Sequence, residues 1–426
     1  MKKSSLIGHV EELYADIIAT SKPADHRIDI FFRGRKYLGS KDRRFIAETL
    51  YGILRHQKRI EWILSSGAVP HTPVNMIAAY VFLEQKETVL SLTGEVPTSA
   101  DLLEKIYGAA SRTPTFESEI DTLSVLHSFQ PWMVSEWRKS FDLQELGNFC
   151  KRLNEQAPMT IRVNTLKTTV EECRDSLLSA GIETEKTPYS PFGLILKQRV
   201  NLFQLKGFTD GLFEVQDEGS QLLALLVDPK PKAKVVDACA GAGGKSLAMA
   251  AVMKNKGEIF ALDIHPFRLA DLKKRAIRNG VDIVRIKPIN EHETIAELIG
   301  KADNVLVDAP CSGTGTIRRN PGMKWSVTEA MISEMNEKQK SILFLNADYV
   351  KVNGRLIYST CSTMHAENEN VVEDFLRAHP NFELMDPSQI LERYHLGNVV
   401  QGKYFQLFPH IHNTDGFFAA VMKRIS

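Results

Sequence analysis

Cysteine is scarce: five residues in 426 (Cys150, Cys173, Cys239, Cys311 and Cys361), with no CxxC pair among them. So odd and sparse a set excludes a disulfide framework and a structural zinc site, and points to reduced thiols. No apolar run approaches the ~20 residues that span a bilayer, which excludes a membrane-spanning protein. Met1-Lys2-Lys3 is followed by neither an apolar stretch nor a small-residue cleavage site, so no secretory signal is expected and a cytoplasmic location is. Net charge is lacking as well: 53 Lys and Arg against 52 Asp and Glu leave +1. No global field draws in an acidic partner, and any nucleic-acid contact has to come from a local patch. The twelve histidines show no metal-ligand spacing, so no metal is expected. Internal repeats and low-complexity tracts are absent.

What is present is ordinary globular composition, 43% hydrophobic and 25% charged, in a chain long enough for about three domains at ~150 residues each. Residues 1–130 carry helical periodicity, seen in Val10, Leu13, Ile17 and Ile18 and again in Phe45, Leu50, Ile53, Leu54, Ile60, Ile63 and Leu64. Between Arg27 and Arg59 ten Lys/Arg face three acids; the stretch is either a solvated helical surface or a phosphate-facing patch. Residues 131–212 mix a helix (Thr169–Ala180) with strand-like runs (Met159–Val163, Gly193–Leu196), a small α+β domain. From 213 to 426 strands and helices alternate. Candidate strands are Lys234–Cys239, Glu258–Ile264, Ile283–Ile289, Asn304–Asp308, Arg355–Ser359 and Phe417–Met422, and the clearest helix is Thr328–Val350. Such alternation predicts an α/β fold with a parallel, doubly wound sheet.

The richest stretch runs from Val235-Val236-Asp237 through Ala238-Cys239-Ala240-Gly241-Ala242-Gly243-Gly244 to Lys245-Ser246. An apolar strand enters a glycine turn and then a helix, which brings backbone N–H groups close to a ligand. As a phosphate-binding P-loop it has Gly244-Lys245-Ser246, but the first required glycine is Cys239. As a nucleoside-cofactor loop it has GxG and, 19 residues after Gly244, the acid Asp263 at the end of the next strand, placed for ribose hydroxyls. The third dinucleotide glycine is Ser246. S-adenosylmethionine has no pyrophosphate to cradle and suits such a loop.

Two cysteines stand at strand ends, in Asp308-Ala309-Pro310-Cys311-Ser312-Gly313 and in Tyr358-Ser359-Thr360-Cys361-Ser362. Carboxyl ends of strands in open α/β sheets face the ligand crevice, so both thiols are expected beside the glycine loop; the alternative is a pair of small buried hydrophobes. A thiolate adding to carbon 6 of a pyrimidine makes carbon 5 nucleophilic, which is covalent catalysis by cysteine.

These three segments resemble, in order, separation and content, the motifs of the Fmu/Sun/NOP (RsmB-like) family of RNA cytosine-5 methyltransferases. Phe213–Gln221 resembles the family's segment before the cofactor strand, and Arg162-Val163-Asn164 the signature of its small RNA-binding subdomain. Asp42–Arg55 resembles the NusB-like helical extension of bacterial members. The resemblance implies a Rossmann-like class I methyltransferase domain (213–426), a small α+β RNA-binding subdomain (131–212) and a helical NusB-like domain (1–130). It also implies a monomer acting on RNA, ribosomal RNA first and tRNA as the alternative, with S-adenosylmethionine as cofactor. Carried over by position, Cys361 is the nucleophile, Cys311 assists release, Asp308 contacts the base and Lys245 approaches base or cofactor. Cys239, Ala240, Gly241, Ala242, Gly243, Gly244, Lys245, Asp263, Arg268, Asn290 and Asp308 form the cofactor site. Ala242 stands where many members have proline, and Asn290 where an acid near the adenine is usual. A P-loop nucleotide-binding protein, or an RNA-binding assembly factor with an unused site, is the reading of a different class. Arg318, Arg319 and Lys324 are expected in an exposed loop or on an RNA backbone, His365 is a solvated residue or a proton relay, and Phe405, Phe408, Phe417 and Phe418 are expected in a core.

Overall fold

The computed structural model describes residues 1–19, 24–400 and 402–426. Contacts divide the chain into two compact units: Met1–Gln156 with Ile317–Glu329, and Ala157–Thr316 with Ala330–Ser426.

The first unit is helical. Its longest helix, Ser40–Ser66, buries Ile46, Leu50, Ile53, Ile60 and Ile63 in one apolar cluster with Val10, Leu13, Ile77, Leu103 and Ile106, the periodic residues doing what their spacing predicts. The basic stretch is largely engaged inside the unit. Arg27 pairs with Asp16, Arg33 with Asp29, Arg35 with Glu12 and Arg44 with Glu48. Arg55 and Arg59 are buried and donate to the carbonyls of Arg318 and Arg112. A phosphate-facing role is thereby withdrawn from those two arginines.

At His56 the long helix leaves helical values (φ −113°, ψ 15°). Side chains enter the ladder there, an identifiable cause of a kink. Lys324 Nζ donates to the Arg55 carbonyl (2.7 Å), Trp325 Nε1 donates to the Leu54 carbonyl (2.7 Å), and the Arg59 amide donates to Ser128 Oγ (2.8 Å). Lys324 is wholly buried, also donating to Ser128 O (2.7 Å) and Asn154 Oδ1 (2.6 Å), with its Nζ 3.7 Å from the Phe129 ring centre; burial lowers its pKa well below the ordinary lysine value. The expectation of an exposed or RNA-facing segment thus fails for Lys324 and for Arg318, which is buried and donates to Gln156 O (2.9 Å); Arg319 alone of the three is exposed. Residue type marked these side chains as surface, but unpaired backbone carbonyls, for Lys324 one freed at the kink, are strong acceptors for a buried N–H donor.

The second unit holds two sheets. β1 (Met159–Val163), β2 (Thr184–Lys186), β3 (Gly193–Leu196) and β4 (Phe213–Val215) form an antiparallel sheet in the order β2-β3-β1-β4, with the helix Val170–Ser179 sharing its apolar core. The Arg162-Val163-Asn164 signature is interior: Arg162 Nε donates to Gln216 Oε1 (2.6 Å), and Asn164 Nδ2 to the carbonyls of Gly211 (2.8 Å) and Asn279 (2.9 Å).

The larger sheet contains β5 (Lys234–Asp237), β6 (Glu258–Asp263), β7 (Val284–Pro288), β8 (Ala302–Asp308), β9 (Val350–Thr360), β10 (Phe382–Met385), β11 (Phe405–Leu407) and β12 (Phe417–Arg424). Its order is β10-β12-β9-β8-β5-β6-β7, with β11 on β12. β5 through β9 pair in parallel; β12 runs antiparallel to β9, β10 and β11. The fold is Rossmann-like. The all-parallel expectation gives way at this one edge, since a strand buried on both faces has the same apolar pattern whichever way it runs. Phe405, Phe417 and Phe418 are core residues, as expected. Strand order reverses between β5 and β8, and the crevice at their carboxyl ends is where such sheets hold ligands.

Candidate active site

β5 is driven into the sheet by Val235 and Val236, fully buried, and ends at Asp237. Beyond it the chain turns tightly enough that Gly243, at φ +82°, leaves no room for a side chain: a Cβ there would meet Leu272 Cδ1 at 2.0 Å. The helix Gly244–Val252 follows. Beneath the turn Ser246 Oγ donates to Asp237 Oδ2 (2.6 Å), while Asp237 Oδ1 is buried without a partner. Burial pushes the Asp237 pKa up to about 7, with the Ser246 hydrogen bond acting the other way.

Two acids brace the loop. Asp263, at the end of β6, accepts from the Gly241 amide (2.8 Å) and the His265 amide (2.7 Å). Glu214, next to the small sheet's core on β4, accepts from Arg275 (2.9 Å), Arg278 and Asn279 (2.5 Å), and Arg275 Nη1 in turn donates to the Ala242 carbonyl (2.6 Å). The Phe213–Gln221 segment therefore supports the loop through Glu214, and through Gln216, whose Nε2 lies 3.4 Å from Gly244 O.

Asp308 ends β8. Its Oδ1 accepts from Ser359 Oγ (2.9 Å) and its Oδ2 from Lys245 Nζ (2.5 Å). Burial lowers the Lys245 pKa, but Asp308 outweighs it and carries the pKa above the ordinary lysine value; negative charge at Cys361 adds to the rise. Lys245 is thus an ammonium. The two sulfurs, Cys311 after β8 and Cys361 after β9, lie 3.4 Å apart. The hydrogen bond with Cys361, then burial and the charges of Cys361 and Glu367, raise the Cys311 pKa well above a free thiol's, so Cys311 carries its proton at neutral pH.

A cavity of about 850 Å³ brings these groups together. Cys239, Ala240, Gly241, Ala242, Asp263, Arg268, Asn290, Asp308, Cys311 and Cys361 line it. Gly243, Gly244 and Lys245 do not; the first two shape the turn and Lys245 sits behind Asp308. The Asn290 amide and side chain both donate to Glu293 (2.8 and 2.9 Å), so its carboxamide is held at the rim. His265, Ile264, Ile289, Ile342 and Leu345 also line the cavity and went unnoticed in the sequence. The last two lie on the helix Glu329–Ala347, where an apolar residue facing a ligand has the same spacing as one facing a core. His365 pairs with Glu369 (3.2 Å) and is 42% exposed, which suits the solvated reading.

The residues fit a sulfonium nucleoside. The carboxylate of Asp263 lines the cavity, aliphatic side chains wall it, and the glycine turn lets main chain approach. The lysine a triphosphate would need is already taken by Asp308.

Residues 224–423 match the family model described as 16S rRNA methyltransferase RsmB/F, and residues 129–202 match the RsmF/B-like ferredoxin-like domain. A "Probable ribosomal RNA small subunit methyltransferase B" of Bacillus subtilis (strain 168) is 35% identical over 319 residues, 72% of this chain and 69% of that one. The chain belongs to the RsmB/F methyltransferase family. S-adenosylmethionine is accordingly its cofactor, and the P-loop alternative is set aside. The "25S rRNA (cytosine-C(5))-methyltransferase nop2" of Schizosaccharomyces pombe (strain 972) is another relative, 29% identical over 332 residues, 74% of this chain and 54% of that one. Among solved structures the crystal structure of PH0851 superposes with a TM-score of 0.77 at 27% identity, covering 100% of this chain and 99% of that one. In this RsmB/F chain the cavity lies at the strand-order reversal between β5 and β8.

Proposed function

We propose that this RsmB/F enzyme methylates carbon 5 of a cytosine in ribosomal RNA, through a covalent adduct between Cys361 and carbon 6 of the ring. The observation that carries the reading is the pair of thiols 3.4 Å apart in one cavity with Asp308, Asp263 and the glycine turn. The cytosine-C5 activity in the name of the Schizosaccharomyces relative supports the base and atom, and the small-subunit ribosomal RNA in the name of the Bacillus relative supports the substrate.

Bound S-adenosylmethionine supplies an electrophilic methyl group; residues 239–242, Asp263, Arg268 and Asn290 would hold it, with Gly243 and Gly244 shaping the turn behind them. Cys361 sulfur adds to carbon 6, forming an S–C bond as the C5–C6 double bond opens. The electron pair moves through the ring to N3, which takes up a proton at the base edge that Asp308, held by Lys245 and Ser359, meets, and gives it back when the adduct collapses. After carbon 5 is methylated its proton passes to solvent water, the C5–H electron pair re-forms the C5–C6 double bond, and the S–C bond breaks with its pair returning to the Cys361 sulfur, Cys311 assisting that release as the neighbouring proton donor. Splitting the reaction this way replaces one difficult step by easier ones. In this reading residues 1–130 and 131–212 remain the NusB-like and RNA-binding divisions, and the enzyme works as a cytoplasmic monomer.

The two thiols act at different moments, which makes them separable. Cys361→Ala is expected to abolish methylation of a small-subunit ribosomal RNA transcript and to form no adduct. Cys311→Ala is expected to add, methylate and stall, giving an S-adenosylmethionine-dependent protein–RNA species that survives a denaturing gel. Adduct in the Cys361 variant with none in the Cys311 variant would reverse the roles; retained activity without adduct in both would refute the covalent mechanism. Equal or better turnover of tRNA would move the substrate.

A further inference from the structure

We infer that Glu367 is a positioning residue that ties the two cysteine loops together. This rests on the covalent reading above.

Glu367 closes the short turn His365–Glu367 and has no exposed surface. It is not among the residues lining the cavity, so it acts through others. Its Oε1 accepts from the Ser312 amide (2.7 Å) and from Gln339 Nε2 (3.1 Å); its Oε2 accepts from the hydroxyls of Ser312 (2.5 Å) and Ser362. Ser312 directly follows Cys311 and Ser362 directly follows Cys361. One carboxylate therefore bridges the main chain of one loop and a side chain of each. The bridge is reinforced on both sides. Gln339 also donates to Pro310 O (2.9 Å), the Thr363 amide donates to Thr314 Oγ1 (3.0 Å), and the Tyr358 hydroxyl donates to the Glu367 carbonyl (2.5 Å).

A neutral Gln would satisfy part of this network, so the charge itself needs a reason. Burying a carboxylate whose hydrogen-bond partners are all neutral is expensive, and these partners are a backbone amide, a carboxamide and two hydroxyls. The hydrogen bond with Cys361 and burial raise the Cys311 pKa first and the Glu367 charge adds to them, which helps to make the two sulfurs unequal although they are 3.4 Å apart. Fixing both loops through one group also limits drift in a separation on which catalysis by paired thiols depends.

The experiment compares full-length wild type, Glu367→Gln and Glu367→Asp. Three quantities are read: S-adenosylmethionine affinity by calorimetry, the pH profile of Cys311 alkylation by iodoacetamide from peptide mass spectrometry, and single-turnover methylation of a small-subunit ribosomal RNA transcript. Glu367→Gln is expected to bind cofactor within about twofold of wild type, to shift the Cys311 profile to lower pH, and to lose tenfold or more in single-turnover rate. Glu367→Asp keeps the charge but cannot reach both loops, so it should leave the alkylation profile in place and still slow methylation. An unshifted Cys311 profile with wild-type turnover in a folded Glu367→Gln overturns the proposal. If Glu367→Gln does not fold, a wild-type methylation rate in Glu367→Asp overturns it instead. The reading beneath it is checked with wild type alone: failure to trap an adduct on the same transcript carrying 5-fluorocytidine refutes the covalent mechanism, whatever the Glu367 variants do.

Discussion

Replacing Lys324 by methionine tests whether the kinked helix of the first unit is held by that one side chain. Lys324 Nζ serves three acceptors at 2.6–2.7 Å: Arg55 O, Ser128 O and Asn154 Oδ1. Methionine fills a similar volume, so little cavity penalty enters, but the acceptors lose their donor. Leaving a buried polar group unmade costs about 1–3 kcal/mol, which for three is roughly 3–9 kcal/mol. Burial holds the Lys324 pKa well below the ordinary lysine value, and relief of that desolvation cost, several kcal/mol, offsets part of this. The expected net loss is about 2–4 kcal/mol, confined to the first unit. Hydrogen exchange reads the units separately. At about 1.4 kcal/mol per factor of ten, protection of amides between Ile53 and Leu64 should fall roughly 30- to 1,000-fold. Amides of β5, β8 and β9 should keep theirs. Unchanged protection around the kink would refute the reasoning, and an equal loss across both units would show that Lys324 acts on something larger than the kink.

Asp263→Ala removes the acceptor for the Gly241 and His265 amides as well as the proposed ribose contact. S-adenosylmethionine affinity should weaken by ~1.5–3 kcal/mol, the value of a charged hydrogen bond; unchanged affinity by calorimetry in a folded variant would remove Asp263 from the site. Asp237, with its pKa raised from 3.8 to about 7, keeps in the folded chain a proton that the unfolded chain gives up. Its stabilising contribution is therefore full below about pH 4 and lost as pH rises toward 7, by roughly 4 kcal/mol at 1.36 kcal/mol per unit. Asp237→Asn should flatten that fall, and urea unfolding of the two proteins at pH 5 and pH 8 with parallel pH dependences would contradict it.

Legibility in the sequence followed the physics of each element. β5, its glycine turn and Asp263 were readable because strand, turn and ribose acid occur at fixed spacing, and Cys311 and Cys361 because strand ends carry the chemistry of such sheets. The antiparallel β10, β11 and β12 edge was not, since buried strands of either direction look alike. Lys324 and Arg318 were misplaced because charge is a statistical sign of exposure, whereas the carbonyl that Lys324 meets is freed only by a kink far away in the chain. Arg162 and Asn164 were legible as a signature but not as interior residues. Glu367, six residues after Cys361, was passed over because its partners Ser312 and Gln339 come from distant segments, and nothing local marks a carboxylate as a bridge.

The assignment of Ile317–Glu329 to the helical unit bears on modularity. The chain passes between its two units three times, after Gln156, after Thr316 and after Glu329, so neither unit is a continuous stretch of sequence. A deletion of residues 1–156 would leave Lys324 and Trp325 in the remaining chain, stripped of the carbonyls they serve, while the separately expressed 1–156 segment would lack the side chains that fill its kink. Domain shuffling by simple fusion at a linker is thus closed to this protein. An engineer wishing to exchange the helical unit would have to graft thirteen residues from inside the catalytic half along with it. The helix Ser40–Ser66 and the 317–329 segment thus form one physical unit, although more than 250 residues separate Arg55 from Lys324 along the chain.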